Sequence, residues 1–128
     1  MNLSYQRALW AAYTILDMVY DENEYHKLRF ILSEMNPFIF ENRTCSDPAL
    51  WQSWTECCSA TNSSGFLTFE QVMPVLVNFL KVNETEYSCF EEWGGAYSAE
   101  DVMSGISAYV KNGRWQEILN KVYNFAGF

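Results

Sequence analysis

The residues of this sequence that could perform acid–base or nucleophilic chemistry are few. His26 is the single histidine, so a Ser-His-Asp triad could be built only around it. It lies beside basic residues on a predicted helix, a setting typical of a surface side chain. Neighbouring carboxylates occur at Glu91-Glu92 and at Glu100-Asp101, but consecutive side chains on a helix diverge and do not converge on one proton. We therefore expect no catalytic residues and no enzymatic activity.

Metal-binding chemistry is suggested by one stretch, 60–71, which looks like part of a calcium-binding EF-hand loop. Aligning Gly65 with the glycine of that loop places Ala60 where the first aspartate belongs and Gln71 where the bidentate glutamate belongs. Because two anchoring carboxylates are missing, we expect no metal ion, and nothing else in the sequence predicts a cofactor. The stretch is better explained as a turn followed by a helix, with Thr68 and Gln71 forming a capping box.

The four cysteines, Cys45, Cys57, Cys58 and Cys89, leave two interpretations open. Together with four Asn-x-Ser/Thr sequons, their even number fits a secreted helical signalling or interaction protein with disulfides. However, the N-terminus lacks the basic stretch and uninterrupted apolar run of a signal peptide. Side chains of adjacent residues diverge by about 100° on a helix, so Cys57 and Cys58 suit neither a mutual bridge nor a C-x-x-C pair. We expect buried free thiols in a cytoplasmic protein, with the secreted protein as the alternative.

Charge is distributed unevenly along the chain. Residues 44–110 carry nine acids and one base, Lys81, whereas the remaining residues carry seven acids and seven bases. The formal charge of −8 therefore comes from the middle of the chain. It is densest in residues 84–101, the acidic segment, which has six acids and no lysine or arginine. Such a segment repels phosphate and attracts a cationic partner, so we expect no nucleic-acid binding. A merely solubilising surface is the other interpretation.

The acidic segment is the predicted partner-binding surface. Trp93 lies between an acidic pair and two glycines, outside the apolar stripes of the predicted helices. A tryptophan in a desolvated pocket often carries much of the binding energy of an interface. The same side chain could instead close the core at the end of a helix. The predicted partner-binding residues are Glu84, Glu86, Glu91, Glu92, Trp93, Glu100 and Asp101.

The elements that must position these residues are helices. Apolar residues recur at a spacing of about 3.6 residues, and no segment shows the period-two alternation of a strand. No apolar run reaches the roughly 18 residues that a membrane span requires. The sequence predicts an all-α fold, a single domain over residues 1–128 built as an irregular bundle of about six helices, and a monomer or weak dimer. The predicted helices are Ser4–Tyr20, Tyr25–Met35, one starting at Pro48, Phe69–Lys81, a short one through Cys89 to Trp93, Ala99–Lys111 and Arg114–Phe125.

One of these helices is expected at the centre of the bundle. The segment Phe69–Lys81 is apolar almost all round, so it should be buried on most sides. Pro74 lies just past its first turn, where a kink is expected. The extended segment 38–40 is predicted to pack back into the core.

A family resemblance rests on Met35-Asn36-Pro37-Phe38-Ile39-Phe40 followed by residues 46–54, Ser-Asp-Pro-Ala-Leu-Trp-Gln-Ser-Trp. This pattern resembles one in small bacterial immunity proteins, the antitoxins of contact-dependent growth inhibition and related polymorphic toxin systems. The matching positions are structural, so no binding residue is carried over. The resemblance implies a cytosolic protein that neutralises one cognate toxin domain, commonly a nuclease, with a tRNA-cleaving or EndoU-like ribonuclease preferred. A nuclease presents cations to phosphate, which an acidic surface would complement.

Overall fold

The structure of the protein is a computed structural model, which describes residues 2–23, 26–36 and 48–125. Over these ranges the chain is mostly helical, which confirms the all-α prediction. No helix in the described ranges has both the length and the apolar character needed to cross a membrane. The elements are β1 (Asn2–Ser4), α1 (Tyr5–Asn23), a 3₁₀ turn (His26–Leu28), α2 (Arg29–Met35), α3 (Pro48–Thr61), β2 (Phe66–Thr68), α4 (Phe69–Tyr87), a 3₁₀ helix (Ser88–Trp93), α5 (Ala99–Lys111) and α6 (Trp115–Phe125).

The two short strands were not predicted. β1 pairs antiparallel with β2, so that Leu3 lies opposite Leu67, and both side chains are fully buried. Each strand has only three residues, which is too short for the alternation of apolar and polar residues to be recognised. The pairing attaches the N-terminus of the chain to the start of α4.

Side chains cap the starts of three helices. The Ser4 hydroxyl accepts a hydrogen bond of 3.2 Å from the backbone N–H three residues later, as an N-cap does. Thr68 and Gln71 form both hydrogen bonds of a capping box at the start of α4. The Ser98 hydroxyl accepts a backbone N–H at the start of α5. These caps confirm the predicted starts of α1, α4 and α5.

The α4 helix is six residues longer than predicted. It continues past Lys81 to Tyr87 because Asn83 and Tyr87 extend the buried stripe that begins with its apolar residues. The Asn83 amide donates hydrogen bonds to Ser53 Oγ at 3.0 Å and to the Phe79 carbonyl at 2.9 Å. A polar residue buried in this way hides the helical stripe from an analysis based on hydrophobicity alone.

The centre of the bundle is α4, as predicted. It packs against α1, α3 and α5, and both Leu76 and Phe79 are fully buried. The Trp54 indole meets the Phe79 ring edge-on, with centroids 5.2 Å apart, and its N–H donates to the Tyr5 carbonyl at 2.8 Å. Pro74 lies on the exposed side of α4, which remains helical before and after it.

The C-terminal end of α2 and both ends of α5 lie where the sequence predicts them. α2 ends at Met35, where the following residue is extended, and α5 has the predicted bounds. On α5, Ile106 and Tyr109 are buried, whereas the apolar Val110 is 41 % exposed. On α6, Ile118 is fully buried. The segment 38–40, which was predicted to pack back into the core, lies outside the described residues.

Candidate protein-binding site

The acidic segment, residues 84–101, runs along the surface from the last turn of α4 through the 3₁₀ helix to the first turn of α5. Five of its six carboxylates are exposed and one is half-buried. None of the six forms an ion pair with another residue that the structure describes. The predicted binding residues are placed as follows: Glu86, Glu91, Glu92, Glu100 and Asp101 exposed, Glu84 half-buried, and Trp93 59 % exposed.

Packing against α2 holds the acidic segment in place. The Phe30 and Phe90 rings stack with centroids 4.7 Å apart and an angle of 13° between their planes. Gly95 lies directly against Phe30, since a Cβ added there would be 1.8 Å from the Phe30 Cδ2 atom. Any side chain at position 95 would therefore displace the aromatic stack. The close approach explains why glycine occurs at this position.

The 3₁₀ helix of the acidic segment ends in a glycine turn. Gly94 has a φ of +69°, in the left-handed region that favours glycine. Its N–H donates to the Glu91 carbonyl at 3.0 Å, and the N–H of Gly95 donates to the Phe90 carbonyl at 2.9 Å. This Schellman pattern satisfies the last carbonyls of the helix and fixes the position of Trp93 just before the turn.

An aromatic row leads from α2 to the surface at Trp93. The Trp93 ring lies 6.2 Å from Phe90, which in turn stacks on Phe30. Trp93 is 59 % exposed, so it does not close the core. The sequence left open whether Trp93 lies on the surface or closes the core, and its exposure places it on the surface. Its ring contacts Phe90 and leaves more than half of its surface exposed to solvent.

The acidic segment contains no base in sequence, but α2 brings one to it in space. The Arg29 guanidinium lies beside Gly94, with Nη2 3.1 Å from the position that a Cβ would occupy, and Cζ is 5.5 Å from the Phe30 ring centre. A cation at this position reduces the negative potential of the acidic segment without removing it. Sequence reasoning missed Arg29 because it lies far from the acidic segment along the chain.

The predicted residues do not share one cavity. Glu86 lines a cleft between α2 and the C-terminal end of α4, together with Glu34 and Tyr87. Glu100 lines a separate, shallow groove along α5 with Lys111. The Tyr87 hydroxyl donates a hydrogen bond to the Glu34 carboxylate. Burial raises the pKa of Tyr87 well above its usual value and this hydrogen bond raises it further, so Tyr87 remains a donor at neutral pH.

The three cysteines in the described ranges comprise two buried thiols and one exposed thiol. Cys57 and Cys58 are free and buried on α3, as expected. Burial raises the pKa of both, and with the neighbouring Cys57 it raises the pKa of Cys58 to about 12. Cys89 is also free but exposed, because the 3₁₀ helix turns it outward; its expected burial is wrong. Cys45 lies outside the described residues.

Thiol labelling is expected to separate these cysteines. At pH 8 a neutral alkylating reagent should modify Cys89 rapidly, whereas Cys57 and Cys58 should react only after unfolding, because they are buried and largely protonated. Mass spectrometry of native and urea-unfolded protein gives the sites of modification, and Cys89→Ser should abolish the rapid phase at this site. Failure of Cys57 or Cys58 to react in the unfolded, unreduced chain would indicate a disulfide and favour the secreted alternative.

The burial of Asn83 weighs against glycosylation at the sequon that begins with this residue. Asn83 is 5 % exposed, and its two amide hydrogens are donated to Ser53 and to the Phe79 carbonyl. Attaching a glycan would require removing this side chain from the core. The sequon pattern therefore gives less support to a secreted protein than its count suggests.

The EF-hand-like stretch is a turn and a capping box, as predicted. The Gln71 side-chain oxygen accepts hydrogen bonds from the Thr68 N–H at 2.9 Å and from the Asn62 amide at 3.3 Å. This oxygen is therefore engaged within the protein at the position where an EF-hand ligates calcium. In the described part of the chain, no three His, Cys, Asp or Glu side chains are grouped to hold a metal ion. The side chain of His26 lies outside the described residues.

Chemically, the acidic segment combines exposed carboxylates with an exposed aromatic side chain. Exposed carboxylates provide long-range attraction for a cationic partner, and the aromatic row provides a rigid apolar contact at Trp93. No family model, curated protein or solved structure matches the chain.

Proposed function

We propose that this chain is an immunity protein that binds and neutralises one cognate toxin domain in the cytoplasm. The observation that carries the proposal is the acidic segment: six carboxylates, none paired with a described residue, beside the exposed Trp93. A nuclease must present lysine and arginine side chains to phosphate, and an acidic surface can occupy the same positions. The proposed target is therefore a nuclease, as the resemblance of residues 35–40 and 46–54 implies, and a tRNA-cleaving or EndoU-like ribonuclease is preferred.

The two components of the surface have different roles in this proposal. Charges act over the distance of a Debye length and accelerate the encounter, so the carboxylates govern the association rate. Trp93 acts only after contact, when its ring is removed from water, so it governs the dissociation rate. Because the Trp93 ring already contacts Phe90, which stacks on Phe30, less conformational entropy is lost on binding than for a side chain without such a contact.

The direct test uses the protein encoded immediately upstream as the candidate toxin. Its expression alone should stop growth, and co-expression with this chain should restore growth and yield a complex that purifies together. If the upstream protein is toxic but the chain neither restores growth nor binds it, that pairing is wrong. Ribonuclease activity of the purified toxin, measured with and without the chain, then tests the nature of the target.

Trp93→Ala is expected to raise the dissociation rate from the toxin by about tenfold or more, with little change in the association rate, because a buried tryptophan anchor contributes about 2 kcal/mol or more. Phe66→Ala is a matched control, since Phe66 is also an exposed aromatic (48 %) but lies on β2. Surface plasmon resonance measures both rates. Equal dissociation rates for the two variants would show that Trp93 is not in the interface.

A further inference from the structure

A cleft opens beside the acidic segment, where the end of α2 and the first turn of α3 meet the last turn of α4 and the 3₁₀ helix. It has a volume of about 240 Å³. The residues that line it include three polar ones, Glu34, Glu86 and Tyr87, and two apolar ones, Leu50 and Phe90. Sites for drug-sized ligands have volumes of about 300–1,000 Å³, so this cleft has the size to hold one side chain rather than a cofactor.

The two carboxylates of the cleft have no cationic partner among the described residues. Glu34 is half-buried, and one of its oxygens accepts the hydrogen bond from Tyr87. Tyr87 is almost completely buried, so this hydrogen bond fixes the Glu34 carboxylate from the core side. Glu86, on the last turn of α4 one residue before Tyr87, also lines the cleft. Two negative charges in a concave, partly desolvated site attract a cation more strongly than exposed charges do.

We propose that the cleft binds a single arginine side chain of the protein partner. The planar guanidinium would donate hydrogen bonds to Glu34 and Glu86, and it matches carboxylates with two donors at once. The methylene stem of the arginine would lie on Leu50 and the Phe90 ring. A lysine would bind more weakly, because its ammonium group lacks the planar, two-donor geometry of a guanidinium. This inference rests on the proposed function, because the arginine would come from the cationic surface of the toxin that faces the acidic segment.

The first experiment needs no toxin. N-acetyl-arginine amide, titrated into the ¹⁵N-labelled protein, should cause saturable chemical-shift changes at Glu34, Glu86 and Phe90. N-acetyl-citrulline amide has nearly the same shape without the charge and should cause no saturable change. Equal changes with citrulline, an equally tight lysine amide, or saturable Mg²⁺ binding at the same residues would overturn the assignment to a guanidinium.

Variants identify the groups responsible. Glu34→Gln keeps an oxygen that accepts the Tyr87 hydrogen bond, so the fold should persist, and Glu86→Gln changes an exposed side chain. Together the two substitutions should lower the affinity for the arginine amide by about tenfold or more, the loss expected when charge-assisted hydrogen bonds are removed. Glu56→Gln, an exposed carboxylate on α3, is the control and should have no effect. Unchanged binding in the double variant would overturn the proposal.

The toxin provides a test that separates the two proposals. The Glu34→Gln/Glu86→Gln variant should bind the toxin about tenfold more weakly if the cleft receives one of its arginines. Unchanged toxin affinity would overturn this role of the cleft and leave the immunity function standing. Conversely, the arginine amide could bind specifically while the upstream protein does not bind at all. That result would support arginine binding by the cleft and show that the upstream protein is not the partner.

Discussion

Phe79→Ala is expected to lower the free energy of unfolding by about 3–5 kcal/mol, the range for truncating a fully buried phenylalanine. Phe79 lies in the middle of α4, with no exposed surface, and its ring contacts Trp54 edge-on. Truncation would remove this aromatic contact and leave a cavity between α3 and α4. A single domain is typically stable by about 5–15 kcal/mol, so the variant would lose a large fraction of that stability.

Urea unfolding followed by tryptophan fluorescence measures the change. Val82→Ala is a suitable control, because it lies on the same helix but is 59 % exposed, and surface substitutions usually change stability by less than about 0.5 kcal/mol. Leu76→Ala should also cost about 2–5 kcal/mol, since Leu76 is fully buried. Similar midpoints for Phe79→Ala and Val82→Ala would contradict the central position of α4.

The helices could be predicted where local chemistry defines them. Ser4, Thr68 and Ser98 cap their helices through side-chain hydrogen bonds to nearby backbone groups, and such contacts depend only on neighbouring residues. The glycines at 94 and 113 end helices for an equally local reason, a positive φ. The strand pair at Leu3 and Leu67 could not be predicted, because it depends on contacts between distant parts of the chain.

The binding site was only partly predictable, for the same reason. The density of charge along the sequence identified the acidic segment. Trp93 was identified because it lies between an acidic pair and two glycines. The contributions of α2 were not visible in the sequence: Phe30 supports the aromatic row, Arg29 adds a cation, and Glu34 completes the cleft. These residues approach the acidic segment only through tertiary packing, which no periodicity or composition reveals.

Reversing Glu86, Glu91, Glu92 and Asp101 to lysine is expected to slow association with the toxin by about tenfold or more and to flatten its dependence on salt. Electrostatic steering raises association rates by about 10–1,000-fold, and it weakens as salt screens the charges. The four side chains are exposed and form no ion pair with described residues, so the fold should remain intact, which circular dichroism would verify.

A pair of double variants separates the acidic segment from net charge alone. Glu91→Lys/Glu92→Lys and Glu56→Lys/Glu70→Lys change the formal charge equally, and all four side chains are exposed. If the acidic segment faces the toxin, only the first pair should slow association strongly at low salt, because steering depends on where the charges lie. Equal effects would mean that the acids form only a solubilising surface. The binding surface would then be sought first among the acids at positions 17, 21, 22 and 24.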